Sequence, residues 1–304
     1  MRAERSGSGT GARVGCARAM WRACGADEGA MLAEIADTGY AGAPWVLGDT
    51  SRDLAPEKAA ARIADTFAAY GLVAAPGYFW IDFWQENQTE TIAWAAGVSK
   101  ALGLGTLLVS AGGFDTRMPS GRLRREVAGR VRPEDGLTAA QRARFLDRLH
   151  AAGAAARAEG VTLAYHPHVG TVIESPEEVD WLVSATDPEL VHLGPDTGHL
   201  RWAGLDVEDF FERHAPRITA WHAKDVNQAV VDQARNRGWD YDGAVARGLF
   251  TEIGSGDIDF ARIISALRAA NFDGWIISET DFTLLDSPAE SARQCRAALR
   301  ELGL

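Results

Sequence analysis

Two rhythms of apolar and polar positions alternate along the chain. Short apolar runs of strand character recur. Between them lie longer stretches in which apolar residues return every three or four positions, the spacing of a helix with one buried face. The strand-like runs are ARVGCA (12–17), GAPWVLG (42–48), GLVAAPGYFW (71–80), TLLVSAGG (106–113), VTLAYHPH (161–168), LVHLGPD (190–196), RITAWHAKD (217–225) and GWIISE (274–279). The third of them is expected to be a strand running into an aromatic loop. Helical spacing fills 28–40, 55–71, 89–103, 137–160, 175–187, 207–215, 258–274 and 287–303. Ser175 followed by Pro176 and two acids reads as a helix start, and Gly71 as a helix stop. Two stretches break the alternation. Residues 112–137 are polar and rich in Gly, Arg and Pro, and read as a loop over one end of the fold. Residues 226–257 are long and mixed.

About eight β runs alternating with helices imply a parallel sheet covered by helices. That many units in a chain of 304 residues fit a closed (β/α)8 TIM barrel better than an open doubly wound sheet. No GxGxxG follows the first run, which weakens a dinucleotide-binding reading. Residues 1–12 read as a disordered tail and 13–304 as a single barrel domain.

In such a barrel the functional site lies at the C-terminal strand ends. Four of the runs close on metal-binding residue types there. His166 and His168 end one, Asp196 ends another with His199 just behind it, His222 ends a third and Glu279 a fourth. Taken singly, each has a plainer reading. A strand-end His is more often a hydrogen-bonded structural group, and an Asp before Thr-Gly is more often a turn or helix cap. Because side chains alternate along a strand, His166 and His168 share a face opposite Tyr165, and His222 faces away from Trp221. Two His, an Asp and a Glu can therefore point at one centre. A mixed N/O set suits Mn²⁺, Co²⁺, Fe²⁺ or Zn²⁺ better than Ca²⁺. Lys224 falls on the same face as His222. Weaker candidates are the turn GSGD (254–257), Glu174, and Trp80, Trp84 and Trp202 as stacking surfaces for a sugar-like ring.

Charge narrows the partners. The net charge of −11 argues against nucleic-acid binding, which needs a concentrated basic face. The one basic run, RLRREVAGRVR at 122–132, reads as a solvated helix or loop. Three cysteines, Cys16, Cys24 and Cys295, are too few and too scattered for a disulfide framework. A cytoplasmic location is expected. No apolar run reaches the roughly 18 residues of a membrane span.

YHPHVGT (165–171), PEEVDWLVSATDP (176–188), DTGH (196–199), HAKD (222–225), GSGDIDF (254–260) and DGWIISETD (273–281) together carry a resemblance. Over roughly 160–285 the chain resembles the sugar isomerase/epimerase superfamily of xylose isomerase-like barrels, and within it the myo-inosose dehydratases. The first half agrees only in its β/α rhythm. The resemblance implies one divalent metal, Mn²⁺ or Co²⁺ foremost, with Zn²⁺, Fe²⁺ or Mg²⁺ as further choices. It carries ligand roles onto Asp196, His222 and Glu279. Where many relatives have Glu at the end of the fifth strand, this chain has His166. His199 matches the superfamily's active-site His. A homodimer or homotetramer is also implied.

The chemistry expected is removal of a proton beside the carbonyl of a keto-polyol. A base takes that proton, and His168, His199 and Glu279 are the candidates, with Lys224 beside them. Loss of the β-hydroxyl then gives a dehydratase acting on a keto-cyclitol such as 2-keto-myo-inositol. Return of the proton elsewhere gives a keto-sugar isomerase or epimerase. A DNA-repair endonuclease of related barrel type would need more His and acidic ligands than this chain offers. A non-catalytic sugar-binding barrel would be signalled by missing ligands, and the set here is full.

Overall fold

The structure is a computed structural model that describes residues 11–83, 88–112, 114–115 and 117–304. Most of the expected N-terminal tail and Trp84 lie outside the described residues. Eleven strands are present among the described residues: β1 Arg13–Cys16, β2 Gly42–Pro44, β3 Val73–Ala75, β4 Tyr78–Trp80, β5 Thr106–Ser110, β6 Thr162–Tyr165, β7 His192–Leu193, β8 Ala220–Ala223, β9 Asp225–Val226, β10 Phe250–Thr251 and β11 Trp275–Ser278. Except for the small antiparallel pair β9 and β10, every pairing is parallel.

One sheet runs β3-β2-β1-β11-β8 and another β4-β5-β6-β7. Two seams join them into a barrel. At one seam β3 and β4 are halves of a single stave, interrupted at Pro76–Gly77, because proline brings no N–H to the ladder. The Gly77 carbonyl still accepts from Leu108 N–H at 2.8 Å. The aromatic end of the third run is thus strand, not loop as its sequence suggests. At the other seam, parallel bridges Leu193–Ile218 and Asp196–His222 close β7 onto β8. Eight staves with helices between them make the α/β barrel that the alternation predicts.

The strands are buried on both faces, as a parallel barrel requires. All residues of β5, β8 and β11 are buried. Alternation sorts them. Trp221 lies outward, its ring 5.3 Å from Phe211 on the helix Val207–His214 and stacked at 6.3 Å on Phe260 of the helix Phe260–Ala269. Tyr165 likewise packs on Phe145 of the helix Ala139–Ala158. Their neighbours His166 and His222 are left for the barrel mouth. Ser175 caps the helix Pro176–Ala185 by accepting from Glu178 N–H, as its sequence signals.

The two irregular stretches both have structure. Residues 112–137 hold two short 3-10 turns, Arg124–Val127 and Pro133–Asp135. Their basic run departs from a solvated face at Arg124, which is fully buried, while Arg122, Arg125, Arg130 and Arg132 keep contact with solvent. Between β9 and β10 the chain makes two helices, Gln228–Arg237 and Tyr241–Val245. The GSGD turn does not line the mouth. Instead Gly254, Gly256 and Ile258 N–H groups wrap the carboxylate of Asp225 at 2.9 to 3.2 Å.

Candidate metal centre and its cavity

The strand ends bring His166, Asp196 and His222 together. One ligand atom from each lies within 4.8 Å of the others, and all three residues are buried. His166 follows β6 directly, and its N–H is held by Val109 O at 2.8 Å. Asp196 stands where β7 gives way to the helix Thr197–Ala203, whose first turn it caps: Oδ1 accepts from His199 N–H at 2.9 Å. The cap reading therefore holds for Oδ1, and Oδ2 is left out of the cap. Thr197 fastens this helix to β8. Its hydroxyl donates to Lys224 O at 2.7 Å and accepts from Lys224 N–H at 2.9 Å.

His166 Nδ1 and His222 Nε2 are buried without a hydrogen-bond partner, and Asp196 Oδ2, which has no hydrogen bond, is ion-paired with Lys224 Nζ at 3.2 Å. Burying such atoms unpaired costs free energy. A cation bound among them relieves that cost, and the donor set of two imidazoles and a carboxylate suits a transition-type divalent ion. Glu279 stands beside the group rather than within it. Its Oε2 accepts from His222 Nδ1 at 2.5 Å, the arrangement by which a carboxylate fixes an imidazole's tautomer and directs its other nitrogen.

Lys224 is fully buried and has carboxylates around it. Its Nζ lies 2.8 Å from Asp281, 3.2 Å from Asp196 and 3.5 Å from Glu279. Burial works to lower the ammonium's pKa, but these three charges outweigh it and raise it, so Lys224 stays protonated. Three carboxylates against one ammonium leave two negative charges, the surplus that one divalent cation neutralises. Burial raises Asp196 to about 6. Burial pushes Glu279 the same way, but Lys224 and His222 prevail and hold it well below the usual carboxylate range.

The histidines differ in what their nitrogens are free to do. His168 Nδ1 lies 2.6 Å from Val169 O, so it carries the proton and leaves Nε2 as the lone pair. His199 Nε2 is occupied by Lys224 Nζ at 3.0 Å. The two ring centroids lie 3.5 Å apart, with the planes tilted by 34°. Burial, with Lys224 next, lowers His168 to about 4. Burial and the neighbouring His168 hold His199 well below the ordinary imidazole value.

A cavity of about 310 Å³ opens onto this cluster, lined among others by His168, His222, Glu279, Asp281, Tyr241 and Trp80. Of the two stacking candidates among the described residues, Trp80 reaches it and Trp202 does not. Trp202 is fully buried and lies under Tyr241, 5.1 Å between centroids. Glu174 is buried away from the cavity lining. Sequence reasoning passed over three residues of the site. Asp281 accepts from Lys224 and, at 2.6 Å, from the Tyr241 hydroxyl. Tyr241 roofs His168 and His199, near-parallel to both rings. Tyr78 packs 4.8 Å from the His166 ring. Asp281 was legible by alternation, two residues past Glu279. Tyr241 sits in the long mixed segment, where no periodicity marks it.

Comparison with known proteins agrees with the fold. A family model described as xylose isomerase-like TIM barrel matches residues 27–302. The inosose dehydratase of Geobacillus kaustophilus (strain HTA426) is 43% identical over 137 residues, 45% of this chain and 44% of that protein. The match thus spans about half the length of the curated relatives. Among solved structures, a 3-keto-D-glucoside 4-epimerase from E. coli superposes with a TM-score of 0.66 at 15% identity, covering 96% of this chain and 99% of that one. A probable 3-DHS dehydratase from Bacillus anthracis gives 0.67 at 13%, covering 95% and 98%. At such identities these two speak for the fold alone.

Proposed function

The chain belongs to the xylose isomerase-like TIM-barrel family, and on that premise we propose that it is a metal-dependent lyase that dehydrates a keto-cyclitol of the 2-keto-myo-inositol kind. The observation that carries the reading is the buried group His166, Asp196 and His222 at the mouth of the barrel, in which one ligand atom of each lies within 4.8 Å of the others and each histidine has a ring nitrogen without a hydrogen-bond partner. The inosose dehydratases to which the chain is 34–43% identical over about half their length support the substrate class.

In this reading His166, Asp196 and His222 hold one divalent ion, Mn²⁺ or Co²⁺. Glu279 orients His222 through its Nδ1. When bound, the ion supplies Lewis acidity to a ketone oxygen and makes the neighbouring C–H acidic. His168 is the base. The residue lines the cavity, Nδ1 is taken up by the Val169 carbonyl so that Nε2 carries the lone pair, and its depressed pKa keeps it unprotonated at neutral pH. The proton it takes leaves with the β-hydroxyl as water, giving an enone and returning His168 to its starting state. His199 does not compete, because its Nε2 faces the Lys224 ammonium. Lys224 acts as a fixed positive charge and not as a base. Trp80 and Tyr241 flank the ring of the substrate. The enzyme is placed in the cytoplasm, as a dimer or tetramer.

Incubating the Mn²⁺-loaded protein with 2-keto-myo-inositol and following ultraviolet absorbance tests this. A rising enone band is expected. Silence with that substrate, together with turnover of a ketose, selects the second reading, a keto-sugar isomerase or epimerase that uses the same first proton transfer. His166 in place of the superfamily's glutamate favours the dehydratase, because a two-glutamate proton exchange lacks one partner here.

A further inference from the structure

The basic run 122–132 and Glu174 have no part in the chemistry above, yet the interior joins them. Arg124, fully buried, donates to both oxygens of Glu178 at 2.9 and 2.6 Å. Glu178 accepts in turn from the N–H groups of Glu174 and Ser175 at 2.9 and 3.0 Å. Glu174 itself is 2% exposed. Its carboxylate is 3.8 Å from Arg124, too far for a hydrogen bond. Its short contacts are to two loops. Oε1 accepts from Gly129 N–H at 2.6 Å, in the 112–137 segment, and Oε2 accepts from Gly170 N–H at 2.7 Å, in the turn that follows His168.

Both donors are glycines at positive φ, 68° and 87°. Neither has room for a side chain. A Cβ on Gly129 would stand 2.4 Å from Trp202 Nε1, and one on Gly170 would stand 2.9 Å from the Phe114 ring. Phe114 lines the cavity, and Trp202 underlies Tyr241. Gly170 and His168 belong to one tight turn, closed by His168 N–H to Ile173 O at 3.3 Å and Thr171 N–H to His168 O at 3.1 Å.

We propose that Glu174 is a positioning residue: a single buried carboxylate that ties the 112–137 segment to the His168 turn and so fixes the His168 imidazole and the Phe114 wall against the His166–Asp196–His222 group. The tie stands on geometry alone. Its catalytic consequence rests on the function proposed above.

Glu174→Gln and Glu174→Ala separate the two. Gln keeps the shape and one acceptor oxygen but turns an NH₂ toward the second N–H. If Ala does not fold, Gln carries the test. Hydrogen exchange, read by mass spectrometry on the Mn²⁺-loaded full chain without substrate, should quicken about tenfold or more in peptides from both 112–137 and 166–174. Peptides over 190–200 should be unchanged. Mn²⁺ affinity by calorimetry should stay within about threefold. On whichever keto-polyol the wild type turns over, kcat should fall about tenfold or more with KM moved less than about threefold, the signature of a displaced base. Unchanged exchange, or a change in only one of the two segments, overturns the tie. Metal affinity falling in step with kcat overturns the positioning role in favour of general destabilisation. A wild type that turns over no keto-polyol defeats the proposed function, and the exchange result still decides the tie.

Discussion

Asp196 shows how one residue serves structure and chemistry at once. Oδ1 accepts from the His199 N–H, and Oδ2, 3.2 Å from the Lys224 ammonium, is the oxygen proposed to meet a cation. Asp196→Asn keeps the capping oxygen and removes the charge. It is expected to leave the fold intact and to weaken Mn²⁺ binding by at least tenfold in calorimetry. Equal affinity would remove Asp196 from the ligand set. Glu174 makes a prediction of a different kind. Burial raises its pKa to about 7, against the opposing charge of Arg124 and with the like charge of Glu178 adding to the rise. A carboxyl whose folded pKa exceeds its unfolded value stabilises fully below the unfolded pKa, near 4.5, and loses that contribution as pH climbs through the folded one. Wild-type stability should therefore decline by up to about 3 kcal/mol between about pH 4.5 and 8 relative to Glu174→Gln. Urea midpoints at a series of pH values measure it, and parallel curves for the two proteins would refute it.

At the scale of elements, the short helix Tyr241–Val245 does more than its five residues suggest. Its first residue roofs two histidines and is latched to Asp281. Its second, Asp242, is paired with Arg125 at 2.5 Å, which joins this excursion to the 112–137 segment. Tyr241→Phe keeps the ring and removes the latch. KM should rise about three- to tenfold, while metal binding and thermal stability stay near wild type. A variant with unaltered KM would place the substrate elsewhere. The helix Pro176–Ala185 offers a plainer test. Ser175→Ala deletes its cap and should cost about 1 kcal/mol in chemical denaturation.

At the scale of the whole molecule, the barrel closes at the place where its chemistry gathers. The bridge between Asp196 and His222 is both a seam of the sheet and a pairing of two proposed ligands. Closure and metal binding should therefore be coupled. A cation held only by the folded state adds about 2.7 kcal/mol at a free concentration of 100 times its Kd. Chelation is expected to lower Tm by several degrees, and excess Mn²⁺ to restore it. A Tm indifferent to chelator would show that folding and the site are independent. No helix among the described residues is long and apolar enough to cross a membrane.

The order of strands and helices was written in the chain, because burial on two faces demands continuous apolar runs and burial on one face demands helical spacing. The convergence of His166, Asp196 and His222 could be inferred as well, since a barrel collects its strand ends whatever the sequence distance between them. Alternation told Trp221 from His222 and Tyr165 from His166. What the chain alone could not reveal depended on partners far away in sequence. Arg124 looks solvated until Glu178, fifty-four positions on, draws it inside. Trp202 looks like a stacking surface until Tyr241 covers it. Which histidine keeps a free lone pair was decided by Lys224 and by the Val169 carbonyl, contacts of about 3 Å that only the packed tertiary structure creates. Local pattern reports what a residue can bury. Hydrogen bonding across the fold decides which of its atoms remain to do chemistry.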